Sequence, residues 1–83
     1  MEEKELNSIQ VKLGSTIRQI REKKTNYSQS KLAIEIGMSE NQVSRIERGE
    51  TNPTVKTLTM IARALKVDIK DFFDYSTNSY VLY

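Results

Sequence analysis

Apolar residues recur along this chain at helical spacing, in short runs that stop at Gly37, at Gly49 and ahead of Pro53. No window alternates like a strand until the last few residues, so the pattern predicts short helices joined by tight turns. The first runs from about Ser8 to Lys24, with Ile9, Leu13, Ile17 and Ile20 on one stripe and Asn7 or Ser8 as its N-cap. Thr25, Asn26 and Tyr27 interrupt it. Ser28 opens a second helix with Leu32, Ala33 and Ile36 facing inward, and Gly37 closes it, because glycine tolerates the left-handed conformation that ends a helix. Ser39 caps a third helix, where Gln42 three residues on completes a capping box and Gly49 supplies the stop. Thr54 caps a fourth bearing Val55, Leu58, Ile61, Ala62 and Leu65, and a short fifth carries Ile69, Phe72 and Phe73. The expected architecture is all-α, with a polar extension over 1–7, one compact five-helix domain over 8–73 and an aromatic tail over 74–83.

Composition narrows what such a bundle can do. Leu, Ile, Val and Phe number 21 of 83 residues, which supports a folded but thin core. The absence of Cys and His removes disulfides, a thiolate or imidazole catalyst and the principal zinc ligands. No apolar run approaches the ~20 residues of a membrane span, and the acidic start does not read as a signal peptide. A cytoplasmic binding module is expected rather than an enzyme, with no cofactor, metal, membrane or small-molecule substrate.

Charge is distributed unevenly. Residues 11–31 carry Lys12, Arg18, Arg21, Lys23, Lys24 and Lys31 against Glu22 alone, a local excess of +5, whereas the whole chain carries +2. A basic block suits a phosphate backbone, which rewards neutralisation by counterion release. A solvated helix face explains the same charges without a partner.

The second and third helices, joined by a brief turn around Gly37, are spaced like a helix-turn-helix. At ~100° per residue, Glu40, Asn41, Ser44, Arg45 and Arg48 share one face of the third helix, opposite Val43, Ile46 and Glu47. Guanidinium, amide, hydroxyl and carboxylate groups pair with base edges: Arg with guanine, Asn with adenine, Ser with either, Glu with the cytosine amine. An ordinary amphipathic surface helix would also present a polar face.

The ordered set Leu13-Gly14-x-x-Ile17-x-x-Ile20-Arg21, Ser28-Gln29-x-x-Leu32-Ala33, Ile36-Gly37-x-Ser39, Val43-Ser44-x-Ile46-Glu47-x-Gly49, Asn52-Pro53-Thr54 and Leu58-x-x-Ile61-Ala62-x-Ala64-Leu65 resembles the Cro/phage-repressor (XRE-type) helix-turn-helix family. The resemblance covers about Leu13 to Phe73 and implies a lambda-repressor-like DNA-binding domain. It places the third helix, 39–48, in the major groove. Ser39, Glu40, Asn41, Ser44, Arg45 and Arg48 are then the DNA-facing candidates. It also implies that Gln29 clamps a phosphate at the start of the second helix, where free N–H groups attract an anion. Ser28 would be a cap first and a phosphate donor second. Arg21 and Glu47 match the family's inward-facing ion pair. The link Glu22–Tyr27 departs from the family pattern, being one residue longer and lacking glycine.

These features point to a double-stranded-DNA-binding transcriptional regulator, most simply a repressor, acting as a homodimer. The alternative is an interaction module of antitoxin type, which grips a protein partner and binds DNA for autoregulation. Three of the four tyrosines lie in the tail, which is expected either to join a dimer contact or to fold back on its own domain.

Overall fold

The computed structural model describes residues 2–74. Four α-helices follow in order, α1 (Glu3–Lys24), α2 (Gln29–Ile36), α3 (Glu40–Glu47) and α4 (Val55–Leu65), and a 3-10 helix over Ile69–Phe73 ends the described chain. The described residues are all helical or loop, as expected, with four α-helices instead of five. The fifth predicted helix has room for five residues only. It closes by the shorter i to i+3 bond, the Asp71 N–H donating to the Asp68 carbonyl at 3.0 Å, while the Asp71 carboxylate accepts from the Asp68 N–H at 3.2 Å. The aromatic tail, with its expected dimer contact, lies outside the described residues.

At its other end α1 begins five residues earlier than its apolar stripe indicates. Neither Asn7 nor Ser8 is its cap. Glu2 occupies that position without a side-chain cap bond, and Glu3 and Glu5 sit in the first turn, where negative charge suits the positive end of the helix dipole. No glycine or proline interrupts residues 2–13, so nothing ends the helix where its core contacts end. The expected polar extension is therefore mostly helix.

Leu13, Ile17 and Ile20 of α1 meet Leu32, Ala33 and Ile36 of α2, Val43 and Ile46 of α3, and Leu58, Ile61, Ala62 and Leu65 of α4 in one core, which Phe72 completes. Thr16 is buried with them because its hydroxyl donates to the Lys12 carbonyl at 2.8 Å, leaving no unpaired polar group. Three expected core members stay out: Ile9 is 40% exposed, Val55 72% and Phe73 47%. Ile9 precedes Leu13, the first buried residue of α1, and Val55 is the first residue of α4, ahead of Leu58, its first buried one.

The turn between α2 and α3 is Gly37-Met38-Ser39. Gly37 is left-handed at φ 70°, and the Met38 N–H returns to the Ala33 carbonyl at 2.9 Å. Met38 then packs against the core and Ser39 starts α3. Because a Cβ at Gly37 would meet nothing within 4 Å, its replacement costs backbone strain alone. Gly37→Ala is expected to lower stability by about 1–2 kcal/mol, and Gly37→Asn by less, since asparagine tolerates this conformation better. Urea denaturation checks both; an alanine variant as stable as the parent would contradict the left-handed turn.

Candidate nucleic-acid interface

Both short helices are fixed at their N-termini by the serines the sequence singles out. Ser28 Oγ accepts from the Lys31 N–H at 3.0 Å, and Ser39 Oγ from the Gln42 N–H at 3.1 Å. Gln42 Oε1 in turn accepts from the Ser39 N–H at 2.9 Å, completing the expected capping box. Both hydroxyls thus serve as caps.

α3 is two-sided. Val43, Ile46 and Glu47 are buried, whereas Glu40, Asn41, Arg45 and Arg48 are exposed and Ser44 is half-buried. Gln29, Glu40, Asn41 and Ser44 line one shallow cleft between the start of α2 and α3. Arg45 lines a second with Thr51, Asn52, Pro53 and Thr54, where the chain turns into α4. Arg48, expected as the last residue of the helix, is its C-cap.

Beneath the first cleft lies the Arg21–Glu47 pair, 7% and 6% exposed. Glu47 receives Arg21 Nε at 2.8 Å on one oxygen and Arg21 Nη2 at 2.9 Å on the other, a two-pronged contact between α1 and the end of α3. The Glu47 hydrogen bond, aided by its charge, raises the Arg21 pKa against the effect of burial. Arg21 Nη1 also donates to the Tyr27 carbonyl at 2.9 Å. Thr25 Oγ1 donates to the Arg21 carbonyl at 2.7 Å and accepts from the Tyr27 N–H at 3.0 Å. The longer, glycine-free link is ordered in this way by Thr25 and Arg21 rather than by a special backbone conformation.

Gln29 reaches the same pair. Its Nε2 donates to Glu47 Oε1 at 2.8 Å. An ionised carboxylate only accepts, so the amide orientation is determined: nitrogen toward Glu47, carbonyl oxygen away. One amide hydrogen is committed, and only the second remains for a phosphate. The sequence placed Gln29 at the surface and Glu47 in the core; their contact depends on α2 and α3 meeting and has no local signal.

Glu50, in the loop after α3, is a residue the sequence did not single out. Its carboxylate accepts from Arg48 Nε at 2.7 Å and Nη2 at 3.3 Å and stands 3.9 Å from Arg45 Nε. The Arg48 hydrogen bond, reinforced by the charges of Arg48 and Arg45, holds the Glu50 carboxyl below its ordinary range. The contact is therefore present at neutral pH and weakens only as pH falls through that lowered value. The available signal was Gly49, since a left-handed residue after a helix turns the next one back along it. Among the described residues no three carboxylates gather closely enough to hold a metal ion, and no helix is long and apolar enough to cross a membrane.

A capped helix, a three-residue turn and a second helix with one buried and one polar face define a helix-turn-helix DNA-binding domain. The comparisons agree. A family model described as helix-turn-helix matches residues 17–72. The control protein C.BamHI of Bacillus amyloliquefaciens is 41% identical over 71 residues, covering 86% of this chain and 88% of that protein. The HTH-type transcriptional regulator SlrR of Bacillus subtilis is 41% identical over 69 residues, covering 82% of this chain but 45% of that protein. The crystal structure of the restriction-modification controller protein C.AhdI from Aeromonas hydrophila superposes with a TM-score of 0.76 at 30% identity, over 81% of this chain and 96% of that one. This chain belongs to the XRE-type helix-turn-helix family, a family of DNA-binding transcriptional regulators and not of enzymes.

Proposed function

We propose that this protein is a cytoplasmic, sequence-specific regulator of transcription, most simply a repressor, that binds double-stranded DNA as a homodimer with α3 in the major groove. The observation that carries the reading is the division of α3. Val43, Ile46 and Glu47 anchor it, which leaves Glu40, Asn41, Ser44 and Arg45 together on the outside with groups suited to base edges. Gln29 flanks them and takes a phosphate through its second amide hydrogen. A single module of this size offers few base contacts, so two copies reading half-sites about 34–36 Å apart supply the specificity. Similarity to the control protein C.BamHI and to the restriction-modification controller protein C.AhdI over most of their length supports the same role here, with the DNA upstream of its own gene as the first target to try.

The test is fluorescence-anisotropy titration of that upstream duplex and a scrambled one at two salt concentrations. Preference for the native duplex that survives the higher salt supports base readout. Equal binding that vanishes with salt would leave only phosphate attraction and overturn the reading. Arg45→Ala is expected to cost ~1–3 kcal/mol on the native duplex and to relax base preference at one position, whereas Gln29→Ala weakens all sequences alike. Loss of affinity in both variants with base preference unchanged would remove Arg45 from the readout.

A further inference from the structure

The two arginines at the end of α3 are held differently. Gly49, left-handed at φ 75°, ends the helix; its N–H donates to the Ile46 carbonyl at 3.0 Å, and the Glu50 N–H donates to the Arg45 carbonyl at 2.9 Å. This paired closure folds the chain back and delivers the Glu50 carboxylate to the side of α3 that carries Arg45 and Arg48. A carboxylate is unfavourable at the negative end of a helix dipole, and it also stands beside a surface assigned to a polyanion. The arginines offset both. Arg48 is engaged on three nitrogens, by Glu50 through Nε and Nη2 and by Ser44 Oγ through Nη1 at 2.7 Å. Arg45 approaches Glu50 only to 3.9 Å.

Resting on the DNA-binding reading above, we propose that Glu50 masks Arg48 from the phosphate backbone while leaving Arg45 available to a base, and so sets the sequence-independent part of the DNA affinity. The Nε/Nη2 edge of a guanidinium is one that would grip a phosphate or a guanine in two-pronged fashion, and on Arg48 it is already filled. The pair is about half-exposed, so it competes with DNA without being locked. Its consequence is uniform. Phosphate contacts strengthen binding to every sequence equally, so withholding one lowers affinity for all DNA alike and leaves discrimination to the base contacts.

The experiment compares the full chain with Glu50→Gln, on native and scrambled duplexes across a salt series. Unmasking Arg48 is expected to steepen the salt dependence by about one unit of slope and to raise affinity for scrambled DNA roughly 5–10-fold at about 0.1 M salt. Affinity for the native duplex should rise by the same factor, so the native-to-scrambled ratio should stay as it is. Glu5→Gln, which changes net charge equally in the first turn of α1 without touching an arginine pair, should leave the slope as it is, and adding Arg48→Ala to Glu50→Gln should restore the parental slope. An unchanged slope in Glu50→Gln, an excess slope that survives Arg48→Ala, or a changed native-to-scrambled ratio would overturn the proposal. A parent protein that never distinguishes native from scrambled DNA would instead overturn the function itself.

Discussion

Replacing Glu47 with alanine is expected to remove about 3–5 kcal/mol of stability, because it strands Arg21 in the interior as a charge without a counterion. A domain of this length holds only ~4–12 kcal/mol, so the loss is a large fraction of the total. In urea, with a slope of about 1 kcal/mol per M, the midpoint should fall by roughly 3 M or the transition should disappear. The cause can be isolated with a double variant, Arg21→Met with Glu47→Leu, which exchanges both charges for apolar groups of similar size. Such exchanges are often neutral or stabilising, so the double variant should recover most of the loss. Recovery will be incomplete because the Tyr27 carbonyl loses its Arg21 donor. The recovered protein also separates folding from function: it is folded, yet Gln29 has lost the carboxylate that orients it and should bind DNA more weakly. A Glu47→Ala loss below about 1 kcal/mol would mean that water reaches Arg21 and that the pair behaves like one on the surface.

The parts of this architecture legible in the sequence are those decided within four residues. Ser28, Ser39 and Thr54 each cap a helix through an N–H three positions on, and Gly37 needs only its own left-handed backbone. Periodicity likewise separates the buried and exposed faces of α3, because an eight-residue helix packed on one side leaves little choice. What is not legible depends on distant segments meeting. Gln29 and Glu47 lie 18 positions apart and Arg21 and Glu47 lie 26 apart, so family resemblance supplied the ion pair and nothing supplied the amide bond. The start of α1 failed for another reason. Leu6 continues the stripe at helical spacing, but Asn7 and Ser8, residue types that favour an N-cap, lie inside the helix and mark a start that the chain does not use. The contact of Glu50 with Arg48 and Arg45 was not legible because the reversal at Gly49 brings this loop residue back to them from outside the helix register.

The second large effect is one that helix propensity alone predicts with the wrong sign. Gly14 sits inside α1, where alanine is favoured over glycine by about 1 kcal/mol, so a helix considered alone would gain from Gly14→Ala. In the folded chain the added Cβ would lie 2.3 Å from the Ile46 carbonyl oxygen and 2.7 Å from that of Glu47. Both are backbone atoms, so no rotamer change relieves the overlap. α1 and α3 must separate, which loosens the core contacts of Ile46 and lengthens the Arg21–Glu47 bonds. Overpacking of this kind costs typically 1–3 kcal/mol, and loss of the adjoining ion-pair geometry adds to it. A net loss of about 2 kcal/mol or more is expected, seen as a fall in Tm of roughly 8–16 °C. Gly49 makes a second such contact, since a Cβ there would come within 2.6 Å of Val11 Cα. The two glycines thus set how closely α1 lies along the end of α3, and with it where Arg45, Arg48 and Glu50 stand. Gly14→Ala should accordingly weaken DNA discrimination even below its melting temperature, measured as the native-to-scrambled affinity ratio at 10 °C. A higher Tm in that variant would show that α1 and α3 do not approach this closely, and the assigned position of the reading helix would have to be redrawn.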